Sequence, residues 1–188
     1  GMVQLLDLWL PILLSAVLVF IVSSVIHMCL PFHKSDCKKL PGEDKLLEAM
    51  RAQGVEPGHY VFPRADSMKD MGSPEMVEKC NRGPVGVITV MPNGPFTMGP
   101  SLVLWFLYSL LIGVFTAYIA SIGLPRGAAA MEVFRLVGST AILGYAFNSV
   151  PESIWKGLSW KLTAKFLLDG IAYGLATAAT FTWLWPAA

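Results

Sequence analysis

Four side chains able to bind a borderline or soft metal ion fall between positions 27 and 37: His27, Cys29, His33 and Cys37. Imidazole nitrogen and thiolate sulfur are the usual ligands of zinc and copper, and Met28 adds a thioether. The spacing contains no paired C-x-x-C, so it departs from the structural zinc pattern. The competing reading is that His27 hydrogen-bonds among helices while His33 and Cys37 belong to a linker. A second set comprises His27, Asn148 and Asp169, which fall at matching depth near the same ends of three apolar segments. Ionisable groups inside such segments are functional candidates, and this cluster could carry a proton or ligate an ion. Its plainer alternative is that each group reaches water within a turn or two. At the opposite end, Asp7 and Arg135 are expected to pair, with Glu132 a second partner for Arg135.

Other chemistry has thinner support. Met68, Met71, Met76, Met91 and Met98 could hold Cu(I), but methionine more often fills gaps in a small irregular core. Cys80 on a helix beside His59 of a neighbouring strand would suit a nucleophile, although a helix-face cysteine is usually a small buried hydrophobe. The sequence contains no G-x-S-x-G elbow, P-loop or G-x-G-x-x-G. The expectation is therefore a non-enzymatic protein with no catalytic residue and no cofactor.

The elements that must position these residues follow from composition. Of 188 residues, 54% are hydrophobic and 14% charged, against about 25% charged in a soluble domain, so the chain has more apolar surface than a compact globule can bury. A net charge of +1 argues against nucleic acid. Three cysteines are too few for a disulfide framework. Gly1 before Met2 reads as a remnant of tag removal.

Charge-free runs of about 20 residues cross a ~30 Å hydrocarbon core. They predict membrane helices at 4–30, 98–124, 131–150 and 166–186, the third being the least apolar. The first does not read as a cleaved signal, because neither an early Lys or Arg nor a small-residue cleavage site accompanies it. Between the third and fourth spans, residues 151–165 place Ile154, Leu158 and Leu162 beside three lysines, as in a short amphipathic segment at the membrane surface; the alternative is a tight loop followed by an early start to the fourth span. The loop after the first span carries nine Lys and Arg and the loop after the third carries three, against Arg126 and Arg135 opposite. That bias puts both loops in the cytoplasm and both termini outside. Trp9, Trp183 and Trp185 suit the outer interface and Trp105, Trp155 and Trp160 the inner one.

Small residues recur every four positions at Ser109, Gly113 and Ala117, and again at Gly170, Gly174 and Ala178. These stripes let helices approach closely in lipid, within one chain or between two copies. In residues 31–97 the pattern predicts a helix at Glu43–Gln53, a short strand at Tyr60–Phe62, a helix capped by Ser73 with Pro74 first, and a strand at Val85–Met91. Two strands make a marginal sheet. The fold class is thus a membrane all-α four-helix bundle with a small α+β cytoplasmic domain inserted between helices 1 and 2.

The strings HKSD (33–36), SPEM (73–76), GPVG (83–86), MPNGP (91–95) and SIWKG (153–157) are similar to a group of small four-span bacterial inner-membrane proteins. The resemblance covers most of the chain. It implies a bacterial inner membrane and brings no activity, substrate or cofactor with it. The undersized loop domain points to an accessory or scaffold protein that docks a second copy or a membrane-complex partner beside the lipid bilayer. The alternative is copper or zinc transport or sensing through His27, Cys29, His33 and Cys37.

Overall fold

The structure, a computed structural model, describes residues 1–188. Its elements in chain order are α1 (Trp9–Ser24), α2 (Glu43–Ala52), β1 (Gly58–Phe62), α3 (Met68–Met71), α4 (Pro74–Arg82), β2 (Gly86–Val90), α5 (Gly99–Gly123), α6 (Ala130–Ala146), α7 (Val150–Lys156) and α8 (Trp160–Trp183). They form two compact units. One comprises residues 1–36, 97–154 and 158–188, the other residues 37–96 with 155–157.

Three helices are long and apolar enough to cross a membrane: Leu5–Cys29, which contains α1; Gly99–Gly123, which is α5; and Ala130–Lys156, which runs from α6 into α7. No more than 33% of any of their most apolar stretches is buried inside the protein. Ile21, Leu104, Phe115 and Ile122 point outward and exposed. An apolar surface of that extent is unsuited to water and suited to lipid. Four spans were expected, and α8 falls short of the same apolarity because it carries Lys161, Lys165, Asp169 and several threonines. The chain is therefore a mostly helical protein with three candidate spans.

Within the first unit, α6 packs along α8, α1 lies against α5 and α8, and α5 against α6. Small residues set these distances. A Cβ on Gly170 would come within 2.6 Å of the Ala146 Cβ, and one on Gly174 within 2.9 Å of the Ile142 backbone nitrogen. Only glycine lets α8 lie so close to α6. Ala178 meets α6 at Gly138, whose own Cβ would sit 3.2 Å from the Ala178 methyl. Gly113 faces Ile12 of α1, with Ser109 and Ala117 buried on the same face of α5. Leu8, Val133, Val137 and Phe181 fill the core toward the chain termini, while Val19, Ala141, Tyr145 and Tyr173 fill it toward the other end.

The terminal end is tied by polar contacts. Trp185 Nε1 donates to the Pro125 carbonyl at 3.0 Å, Met2 pairs with Pro125, and Asp7 meets Arg126 at 2.5 Å. The expected partner of Asp7 was Arg135. Arg135 instead sits exposed within α6, while Arg126 lies in the loop beside Pro125, next to the strand-like contact that holds Met2.

In the second unit β1 and β2 pair antiparallel, with Tyr60 opposite Ile88. Ser73 caps α4 by accepting from the Met76 amide at 3.2 Å, and Pro74 opens the helix where its missing N–H costs nothing. None of residues 37–96 is buried. The segment at 151–165 is not one continuous helix; it breaks at residues 157–159, and the following helix starts early, as the loop alternative had it. α7 ends at Lys156, Gly157 adopts a left-handed φ of 71°, and α8 starts at Trp160. A positive φ at glycine is the usual way to end a helix.

Candidate metal centre

The last turn after α1 widens, so that the Leu30 amide donates to the Val25 carbonyl at 3.1 Å. Such wide turns re-aim the side chains they carry, and His27 lies in this one. Pro31 then starts a tight turn, Pro31–His33, that folds His33 back over His27. The two rings stack with centroids 4.1 Å apart and planes 11° from parallel. Asp169 reaches the pair from α8 and is 3% exposed. Its Oδ2 is 3.4 Å from His27 Nε2 and 2.8 Å from His33 Nε2.

A further carboxylate holds the other side of His33. His33 Nδ1 contacts Asp36 Oδ2, and Asp36 Oδ1 accepts from Lys165 Nζ at 2.5 Å. Lys165 lies four residues before Asp169, hence on the same face of α8. Its ammonium also donates to the Phe32 carbonyl at 2.7 Å and sits 5.2 Å over the Phe32 ring. The hydrogen bond from Lys165 keeps the Asp36 carboxyl below the ordinary value of 3.8; partial burial opposes the shift and the His33 contact adds to it.

An ionised Asp36 only accepts, so His33 Nδ1 carries the proton. In the neutral ring Nε2 then presents a lone pair to Asp169 Oδ2, itself an acceptor. Neither atom makes an aligned hydrogen bond. Two acceptors at 2.8 Å are reconciled by a proton between them, carried by the ring or by the carboxyl, or by a metal ion. The metal fits. One ligand atom from each of His27, His33 and Asp169 lies within 4.8 Å of the others. Ligands ~2.0–2.1 Å from a tetrahedral zinc stand about 3.3 Å apart; the 3.4 Å from His27 Nε2 to Asp169 Oδ2 is close to that, the 2.8 Å from His33 Nε2 is shorter, and the stacked rings would have to splay for both lone pairs to reach one ion. The contact of Nδ1 with Asp36 is the outer partner that metal-bound histidines generally have.

Beside the cluster lies a cavity of about 560 Å³, lined by His27, Asp169, Asn148, Trp105, Tyr145 and Tyr173 among others. Trp105 of its aromatic wall is pinned by Nε1 donating to Ser23 Oγ at 2.9 Å and by stacking on Tyr108, whose O–H donates to the Gly144 carbonyl at 2.6 Å.

The structure thus joins two of the four residues of one expected set and two of the three of the other. His27 and His33 come together without Cys29 and Cys37, both exposed free thiols outside the cluster. Asp169 joins them, whereas Asn148 lines the cavity without joining the ligand atoms. Sequence reasoning missed Asp36 and Lys165. The four-residue step from Lys165 to Asp169 was a usable signal; the bend that brings Asp36 to His33 has no periodicity to read. Elsewhere, His59 Nδ1 bonds Thr89 Oγ1 at 2.9 Å across the strand pair, and Met68, Met71 and Met91 are exposed. Comparison with known protein families, curated proteins and solved structures finds no match to this chain.

Proposed function

We propose that this multi-pass membrane protein handles a zinc-class divalent metal ion, binding it through His27, His33 and Asp169 with a coordination position open to the neighbouring cavity. The observation behind the reading is the convergence of His33 Nε2 on Asp169 Oδ2 at 2.8 Å, neither with an aligned hydrogen bond, with His27 Nε2 beside them at 3.4 Å. Three protein ligands and an open position are the pattern of sites that exchange or use their metal. Sensing or transport at a bacterial inner membrane fits that pattern. The test uses protein made without a His tag, loaded with zinc in mild detergent and passed through a desalting column before elemental analysis. One equivalent should remain and should be lost in the His27→Ala/His33→Ala double variant. No retained zinc, or retention in the double variant, removes the reading.

In this reading α8 is a fourth span. Its 24 residues reach about 36 Å, and its polar side chains Thr163, Asp169, Thr177 and Thr180 are buried against neighbouring helices, away from lipid. The Lys and Arg bias supports placing both termini outside and residues 31–97 on the cytoplasmic side.

One further observation favours a docking role for that loop. A 63-residue unit in which no side chain is buried has no core of its own, yet it exposes Leu46, Leu47, Val61 and Val77. Apolar surface of this kind supports association with a second copy or a partner protein, the accessory role expected from the sequence.

A further inference from the structure

Tyr173 is a buried polar group that the metal ligands leave without a partner. It follows Asp169 by four residues, hence on the same face of α8, and helical side chains lean back over the preceding turn. It is 4% exposed and lines the cavity together with His27 and Asp169. Its ring is braced edge-on by Trp105 at 5.7 Å and Tyr145 at 5.6 Å. Its hydroxyl makes no hydrogen bond and is not among the oxygens sealed off by protein, so it opens into the cavity. A buried tyrosine hydroxyl usually finds a partner, and one left free at a cavity wall suits a ligand that accepts.

Charge selects the acceptor. Two neutral imidazoles and the Asp169 carboxylate leave a bound divalent ion with one positive charge in excess. Asp36 does not offset it, being already matched by Lys165, and Glu152 on the cavity wall has a partner of its own. An unmatched charge beside Trp105, Tyr145 and Phe166 is costly, and an anion in the open coordination position removes that cost. Hydroxide from water would fill only about 30 Å³ of a cavity of about 560 Å³. Flat, mutually braced aromatic walls suit a flat apolar body. We infer that the open position takes an aromatic monocarboxylate. One carboxylate oxygen completes the coordination, Tyr173 O–H donates to the other, and the ligand's ring lies among Trp105, Tyr145 and Phe166.

The inference rests on the metal reading, and cobalt(II) in place of zinc lets the two fail separately, because its visible absorption reports both the ligand set and exchange at the open position. Protein made without a His tag and loaded with cobalt(II) in mild nonionic detergent should show the intense absorption of a four-coordinate site. Benzoate should shift that absorption saturably, and benzamide, of the same shape without the charge, should not. Acetate and octanoate should bind more weakly than benzoate. In Tyr173→Phe the cobalt absorption should persist while the benzoate dissociation constant rises about tenfold or more, the effect of losing a hydrogen bond to a charged group. Absence of the cobalt absorption overturns the metal reading and this inference with it. Cobalt absorption that benzoate leaves unchanged overturns this inference alone, and an equal shift by benzamide overturns the carboxylate. Acetate or octanoate binding as tightly as benzoate overturns the aromatic body. Unchanged benzoate affinity in Tyr173→Phe overturns the donor.

Discussion

His33 is held by one carboxylate through Nδ1 and offered to another through Nε2. Removing the first should therefore weaken whatever binds at the second without unfolding the protein. In Asp36→Ala the zinc affinity is expected to fall about 10–100-fold, the effect usual for loss of a ligand's outer partner. Cys37→Ala, next in sequence but outside the ligand cluster, should leave the affinity unchanged. Competition against a fluorescent zinc chelator measures both. An Asp36→Ala protein that binds as tightly as the parent would show that Asp36 does not orient the ring. At this scale the sequence showed the ingredients and not their grouping. His27 and Asp169 were legible because both interrupt apolar runs at the same depth. Which neighbours His33 would choose depended on the wide turn at Val25–Cys29 and the tight turn after it, and neither leaves a periodic trace.

The elements themselves were more legible than the contacts between their side chains. The charge-free run 98–124 became Gly99–Gly123, and Ser73-Pro74 opened α4, because long apolar stretches and cap chemistry act locally. The third span, expected over 131–150, turns after Ala146 through a short tight helix into α7, so its C-terminal end was not foreseen. The small-residue stripes carried spacing but no partner, and the structure supplies one. Gly170 and Gly174 of α8 meet Ala146 and Ile142 of α6 within the same chain. Gly170→Leu should accordingly force α8 off α6 and lower stability by about 1–3 kcal/mol or more, as overpacking does. Gly72→Ala, where an added Cβ meets nothing within 4 Å, is the control and should leave the thermal midpoint in mild detergent nearly unchanged. A Gly170→Leu protein as stable as the parent would mean that the α6–α8 contact is looser than described.

For the whole molecule the contrast between the two units sets the expectation. The membrane-type unit builds two buried clusters, whereas residues 37–96 build none. A lone pair of strands with exposed aliphatic side chains is marginal by itself. In the proposed docking role, association would supply the burial that the unit does not find internally. All nine lysines lie at or after Lys34 on the segments read as cytoplasmic, so an amine-reactive cross-linker that cannot cross membranes reports side and association together. Applied to inside-out membrane vesicles, it should give a discrete product, either a dimer of this chain or a complex with one partner. Applied to right-side-out vesicles it should give none. Products formed only from the outer side would reverse the orientation and require the metal reading to be rebuilt for an oxidising compartment, where Cys37 and Cys80 could be lost to disulfides. Strictly monomeric protein from both preparations would remove the docking role while leaving the metal centre untouched, because every ligand of that centre comes from the other unit.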